Sequence, residues 1–180
     1  MDEKDKSFLL GLSRRAIGAK LDGVDLVAGD VPKSLTKKGS CFVTLTIDGE
    51  LRGCIGHLEA FEPLYLNIIN NSVNAAFSDG RFPPLTKKEF DVVKIEISVL
   101  SKPERLVYLN SSELLERLSS KYGVILKKGF YQSTFLPQVW EVIPDKVEFL
   151  ENLCAKAGLH PSAWRDNVDI FVYTVDKFHE

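Results

Sequence analysis

The stretch CFVTLTIDGELRGCIG, residues 41–56, contains two strand-like segments around a strong turn signal. Apolar side chains alternate with others along residues 41–47, which is the period of a β-strand. Asp48-Gly49 favours a two-residue hairpin turn, after which the chain returns as a second strand. Apolar side chains occur on both faces, so we predict that one face packs on the core and the other on a second layer. With this turn, Cys41 and Cys54 would be diagonal neighbours on one face, a spacing that disfavours a disulfide.

Helical and strand patterns extend outward from this hairpin in both directions. Amphipathic spacing and caps predict helices at about residues 5–19, from Pro63 to about 78, from Asn110 to about 121, and from Asp145 to Gly158. Thr86 and Glu89 form a capping-box pattern for a further short helix. Alternation predicts strands at residues 93–99 and 168–175 and a hairpin around Gly129, whereas residues 20–38 suit an irregular connection. Because the strands come mainly in hairpins, we predict an α+β fold of mainly antiparallel sheet flanked by helices.

Length and composition indicate one globular domain over residues 1–180, large enough for a larger and a smaller lobe. Hydrophobic residues make up 44% of the chain, charged residues 27%, and the formal net charge is −2. Dedicated nucleic-acid-binding proteins usually carry a basic excess, so we expect no nucleic-acid partner. The mixed-charge N-terminus resembles neither a secretory signal nor a membrane span. Three cysteines do not make a disulfide framework, so we expect a cytoplasmic protein with no membrane partner.

Leu51–Gly56 contains the strongest candidate site. Alternate residues of a strand share a face, so we expect Arg52 and Cys54 to point the same way, with Arg52 exposed. A fixed positive charge favours the thiolate form of a cysteine, which attacks electrophiles, and this suggests Cys54 as nucleophile and Arg52 as its charge partner. Gly53 and Gly56 would leave room for a ligand. The alternative is that Cys54 serves as a small hydrophobe and Arg52 as a surface charge.

Three residues elsewhere in the chain are candidates for ligand binding. Asp79 and Arg81 lie in the segment DGRFPP, residues 79–84. They could act at a cleft, as an acid/base group or an anion clamp. The alternative is structural: the segment forms a rigid exit from the preceding helix, held by an Asp79–Arg81 interaction. Gln138 lies among apolar residues, where it could recognise a ligand amide or satisfy buried backbone groups.

The sequence predicts neither a metal site nor a bound cofactor. Cys54 and His57 supply two ligands, whereas a zinc site usually needs three or four. We interpret His57 as part of a solvated loop. No phosphate-binding loop, dinucleotide fingerprint or iron–sulfur cysteine pattern occurs in the chain.

Several motifs in order along the chain carry a family resemblance. Leu51–Gly56 is followed by Asn74-Ala75-Ala76, then by residues 79–84, 98–100 and 135–139, and finally by Phe149-Leu150 and Leu153-Cys154. From about residue 8 onward the chain resembles the AMMECR family, named after a chromosomal region deleted in a syndrome with Alport features. The resemblance implies two unequal lobes, with the family's hallmark motif, Leu51–Gly56, near a cleft between them. It also implies relatives encoded beside, or fused with, Memo-like and radical-SAM proteins, without an established reaction.

Two functions therefore compete. The first is a ligand-binding cleft centred on Leu51–Gly56, which would take a small molecule or peptide and could use Cys54 for cysteine-dependent catalysis of unknown reaction. The second is a non-catalytic module that docks a protein partner, such as a Memo-like or radical-SAM protein.

Overall fold

The Asp48-Gly49 turn joins two antiparallel strands, β1 (Ser40–Ile47) and β2 (Glu50–Gly56), in a computed structural model that describes residues 1–180. Ile47 pairs with Glu50, so the loop has the two residues that the sequence predicted. Asp48 and Gly49 have φ values of 52° and 84°, both in the left-handed region. Glycine, and to a lesser degree aspartate, tolerates this conformation, which explains why this pair makes the turn.

The chain contains six α-helices, eight strands and two short 3-10 helices. The helices are α1 (Glu3–Asp22), α2 (Leu64–Phe77), α3 (Lys87–Phe90), α4 (Ser111–Arg117), α5 (Val139–Val142) and α6 (Lys146–Lys156). The remaining strands are β3 (Lys94–Leu100), β4 (Glu104–Arg105), β5 (Gly123–Lys128), β6 (Tyr131–Phe135), β7 (Asp169–Tyr173) and β8 (Val175–His179). The 3-10 helices are Lys33–Thr36 and Pro161–Arg165. No helix is long and apolar enough to cross a membrane.

Two compact units divide the chain, each with its own four-stranded sheet. The first unit comprises Met1–Leu100 and Asp176–Glu180, and its strand order is β2-β1-β3-β8. The second comprises Ser101–Val175, with the order β4-β7-β5-β6. Neighbouring strands run antiparallel and helices accompany both sheets, which confirms the predicted α+β fold.

Each unit has a separate hydrophobic core. In the first, β1 and β3 bury Cys41, Val43, Leu45, Ile95 and Ile97 together with residues of α1 and α2. In the second, β5 and β7 pack with α4 and α6, and the Trp140 and Phe149 rings stack with their centres 3.6 Å apart. Burial of these apolar groups is the main driving force for folding of each unit.

Local capping signals predicted the helix starts well. Thr86 and Glu89 form the expected capping box at α3. Asn110 and Asp145 accept hydrogen bonds from the backbone N–H groups of Glu113 and Glu148, as expected of N-caps.

A β-bulge in the hairpin overturns one expectation. Thr46 pairs with Leu51 but Leu45 pairs with Gly53, so Arg52 is an extra residue without a partner on β1. A shift of one residue moves the following side chains to the other face of the strand. Cys54 therefore pairs with Thr44 rather than lying diagonal to Cys41. The prediction that the two cysteines share a face was wrong.

The final strand predicted at residues 168–175 is also different in the structure. The chain leaves the second sheet after Tyr173 and begins β8 of the first sheet at Val175. Apolar residues continue from β7 into β8 without a break in the pattern. The sequence therefore does not show that this segment contributes strands to two different sheets. The region predicted as irregular, residues 20–38, contains the end of α1 and the 3-10 helix at Lys33–Thr36.

Candidate functional site

The outer edge of β2 carries the densest group of charged contacts around the hallmark motif. Because β2 is an edge strand, its outward backbone groups have no strand partner. The Cys54 N–H donates to Asp79 Oδ2 at 2.9 Å, and Arg81 Nη2 donates to the Cys54 carbonyl at 3.3 Å. The Asp79–Arg81 pair thus takes the place of a neighbouring strand at Cys54. The interaction between these two residues, which the sequence suggested for a rigid helix exit, is present in the structure.

Asp79 is the buried member of this pair. Its side chain is 5% exposed, whereas that of Arg81 is 57% exposed. Arg81 donates to both carboxylate oxygens, from Nε to Oδ1 at 2.9 Å and from Nη2 to Oδ2 at 2.7 Å. These bonds, with those from the Cys54 and Arg81 backbone, hold the pKa of Asp79 far below its usual range despite burial. Asp79 is therefore a fixed anion at neutral pH rather than a proton donor.

Arg52 is buried, which overturns the expectation that it is exposed. Its Nε donates to Glu89 Oε1 at 2.8 Å, and its Nη2 donates to Glu89 Oε2 at 3.3 Å and to the Pro83 carbonyl at 2.9 Å. The bond from Arg52, with those from Thr86, lowers the pKa of Glu89 to about 2. The bulge residue is thus tied to the start of α3, and its charge is directed at Glu89 rather than at the thiol.

The Cys54 thiol has a polar neighbour of its own. Thr44, its cross-strand partner on β1, donates its hydroxyl to Cys54 Sγ at 3.4 Å. Cys54 is half-buried, unlike Cys41 and Cys154, which are fully buried. Thr44 was missed in the sequence because its contact with Cys54 depends on the bulge. All three cysteines are free.

The room that we expected at the two glycines is occupied by the protein itself. A Cβ on Gly53 would lie 2.1 Å from the carbonyl oxygen of Ala75 in α2. A Cβ on Gly56 would lie 2.4 Å from the Cys41 carbonyl and 2.5 Å from the Phe42 ring. Both positions exclude any larger residue because other parts of the first unit approach so closely.

His57 begins a second polar cluster, on the α2 side of the hairpin. Its ring stacks on Phe61 with centres 4.5 Å apart, and its Nε2 lies 2.7 Å from Asn67 Nδ2. His57 lies in the loop after β2, as predicted, but its ring is packed against Phe61 and is only partly exposed. Asn67 Nδ2 also donates to Glu62 Oε1 at 2.9 Å, while its Oδ1 accepts from the Cys41 backbone N–H at 3.0 Å. A backbone N–H can only donate, so this bond fixes which end of the amide faces His57.

Asn67 and Asn71 are the buried centre of this second cluster. Asn71 Nδ2 donates to Asn67 Oδ1 at 3.0 Å and to the Cys41 carbonyl at 3.2 Å. Burial raises the pKa of the Cys41 thiol to about 12, which keeps it protonated. A signal for this cluster was present in the sequence, since two asparagines four residues apart interrupt the apolar stripe of α2.

Gln138 lies in the second unit, at the start of α5, and forms no part of either cluster. Its Oε1 is buried and has no hydrogen-bond partner. No three His, Cys, Asp or Glu side chains come together in a way that could hold a metal ion.

Comparison with known proteins decides the family. The AMMECR1 family model matches residues 10–178. The chain belongs to the AMMECR1 family. It is 36% identical to the protein NEQ441 of Nanoarchaeum equitans, covering 96% of this chain and 98% of that protein. It is likewise 36% identical to the protein MJ0810 of Methanocaldococcus jannaschii, covering 98% and 90%.

A solved structure matches the whole fold. The crystal structure of the uncharacterised protein PH0010 from Pyrococcus horikoshii has a TM-score of 0.86 and 34% sequence identity. It covers 100% of this chain and 93% of that one. The resemblance predicted from the motifs is therefore confirmed.

Proposed function

We propose that this AMMECR1 protein binds a small molecule at Cys54, and that the thiol provides the site's chemical reactivity. The observation that carries the proposal is the way Cys54 is held. Asp79 and Arg81 bind its backbone, Thr44 binds its sulfur, and the side chain is only half-buried. Cys41 is also hydrogen-bonded through its backbone and its sulfur, but it is fully buried, as is Cys154. Cys54 is distinguished from both by combining such contacts with partial exposure.

Two neighbouring groups, the Thr44 hydroxyl and the Arg81 guanidinium, would stabilise negative charge that develops on the sulfur during attack. A hydroxyl donor stabilises a thiolate, and a guanidinium nearby does the same through its charge. Arg81, rather than Arg52, supplies that guanidinium, because its Nη2 already contacts the Cys54 carbonyl. His57 is not positioned as a base for the thiol, since its Nε2 faces Asn67. A free thiol of this kind fits a reducing cytoplasm.

A panel of small thiol-reactive acrylamides and chloroacetamides would test this proposal. Each compound is incubated with the folded protein, and the labelled residue is identified by mass spectrometry. We expect a subset of compounds to label Cys54 faster in the folded protein than in the urea-unfolded chain, because a binding site raises their local concentration. If every compound labels Cys54 more slowly in the folded state, the proposal is wrong. Cys54→Ser serves as the blank.

A second candidate function is docking of a protein partner, which exposed apolar side chains near the motif favour. Leu51 on β2 is 42% exposed, and Phe61, which stacks on His57, is 59% exposed. The family resemblance suggests a Memo-like or radical-SAM protein as partner. Partner binding that survives Cys54→Ser but is lost in Leu51→Ser/Phe61→Ser would favour docking over chemistry at the thiol.

A further inference from the structure

The guanidinium groups of Arg52 and Arg81 each bind a carboxylate through two nitrogens and leave the third nitrogen, Nη1, without a hydrogen bond. Arg81 uses Nε and Nη2 to hold Asp79, and Arg52 uses Nε and Nη2 to hold Glu89. Nη1 of each arginine makes no hydrogen bond to the protein. Both groups lie against the Phe82 ring, with guanidinium carbons 5.8 Å (Arg52) and 5.5 Å (Arg81) from its centre.

Arg52 Nη1 is the less expected of the two free nitrogens. Arg52 is only 8% exposed, and this nitrogen is buried without a partner. Buried charged donors almost always have an acceptor, because leaving such a hydrogen bond unmade is costly. An acceptor from outside the chain, such as a buried water molecule, would satisfy this nitrogen.

Arg81 presents its free nitrogen to solvent. Asp79 neutralises the pair, but its oxygens already accept from the Cys54 backbone, the Arg81 backbone and the guanidinium. Its side chain is also almost fully buried behind Arg81. A ligand that approaches this edge of β2 therefore meets hydrogen-bond donors and not the carboxylate.

From this geometry we infer that the Cys54 site takes ligands with a carboxylate or phosphate group, bound by Arg81 Nη1, whereas the covered Arg52 Nη1 does not contact the ligand directly. Guanidinium donors match the oxygens of both groups in charge and in geometry. Arg81 lies beside Cys54, because its Nη2 is 3.3 Å from the Cys54 carbonyl oxygen. The inference rests on the proposed function, since it names the chemical class of that site's ligand.

Iodoacetate and iodoacetamide are matched probes for this inference. In both reactions the Cys54 thiolate attacks the methylene carbon, a C–S bond forms, the C–I bond breaks, and iodide leaves. The reagents differ only in carrying a carboxylate or a neutral amide. The measurement is the ratio of the two alkylation rates at Cys54, read by mass spectrometry in the native protein and in the urea-unfolded chain.

We expect the iodoacetate-to-iodoacetamide ratio to be about two- to fivefold higher in the native protein, the range typical of an exposed ion pair. The excess should decrease as salt screens the charge. Arg81→Gln should abolish the excess. The double variant Asp79→Asn/Arg81→Gln should abolish it too, and this variant does not leave the buried Asp79 carboxylate without its positive partner. Arg105→Gln is the matched control, because Arg105 is 66% exposed and also paired with an aspartate, but it lies in the second unit.

The outcomes separate the inference from the proposed function. If Cys54 reacts with both reagents at the ratio of the unfolded chain, the anion inference fails and the thiol site stands. If Cys54 reacts with neither reagent until the chain unfolds, the proposed function fails, and the inference fails with it. An excess that persists in both Arg81 variants would also overturn the inference.

Discussion

At the residue scale, Gly53 shows how one position links the hallmark motif to the packing of a helix. Helix α2 approaches β2 so closely that the Ala75 carbonyl occupies the space of a Gly53 side chain. Arg52 has a comparable structural role, because its buried guanidinium joins the bulge to Glu89 of α3. Two motif residues that suggested a ligand site from sequence are therefore also required for packing of the first unit.

Gly53→Ala should destabilise the protein by about 1–3 kcal/mol or more, because the added methyl group overlaps a backbone oxygen that cannot move alone. Gly80→Ala is the matched control, since a Cβ there meets nothing within 4 Å and the backbone is not in the left-handed region. Urea denaturation followed by far-UV circular dichroism measures both. Equal stabilities for the two variants would contradict the close approach of α2.

Glu89→Gln should destabilise the protein by about 1–3 kcal/mol at neutral pH, because it leaves Arg52 as a buried charge without its partner. The folded-state pKa of Glu89 is lowered from 4.5 to about 2, so its ionised form stabilises the fold above pH 4.5. That stabilisation is lost as the pH falls toward 2. The difference in unfolding free energy between wild type and variant should therefore shrink between pH 4.5 and 2. A difference that stays constant over this window would argue against the ion pair.

At the element scale, the edge of β2 is protected by side chains instead of another strand. The bulge at Arg52 and the Asp79–Arg81 pair together interrupt the regular edge that would invite pairing with another chain. The loop after α2 thus has a structural function that is independent of any ligand.

Hydrogen exchange should reveal this protection. The Cys54 amide should exchange more slowly than is usual for an outward-facing amide of an edge strand. Asp79→Ala should speed its exchange about tenfold or more, because a hydrogen bond to a charged acceptor is lost. The Val43 amide, on the central strand β1, is the internal reference and should change much less. If the Cys54 amide exchanges at the same rate in both proteins, Asp79 does not cap the strand.

At the scale of the whole molecule, local signals in the sequence predicted elements better than long-range contacts. The Asp48-Gly49 turn and the caps at Thr86, Asn110 and Asp145 depend on neighbouring residues, and the sequence predicts them correctly. The bulge depends on how β2 packs against α2 and α3, which local sequence patterns do not show. The sequence therefore wrongly predicted that Cys54 and Cys41 lie on the same face of the hairpin. Thr44 and the partner of Arg52 were missed for the same reason.

Net charge supports one prediction for the whole chain. With 23 basic and 25 acidic residues, the protein carries no excess of positive charge to release counterions from a phosphate backbone. We expect no submicromolar binding to duplex DNA or single-stranded RNA at physiological ionic strength. A fluorescence anisotropy titration at several salt concentrations measures this, and tight, salt-dependent binding would refute it.

The central claim is that Cys54 is an accessible thiol on a folded scaffold, and its native alkylation rate tests this most directly. Iodoacetamide is added to the folded protein, and modification at each cysteine is followed over time by mass spectrometry. Cys54 should react within about tenfold of its rate in the unfolded chain. Cys41 and Cys154 are both fully buried and become accessible only when the protein unfolds. Each should therefore react at least about 10³-fold more slowly than in the unfolded chain. If Cys54 is protected as strongly as Cys154, it is a packing residue, and the account of a thiol site is wrong.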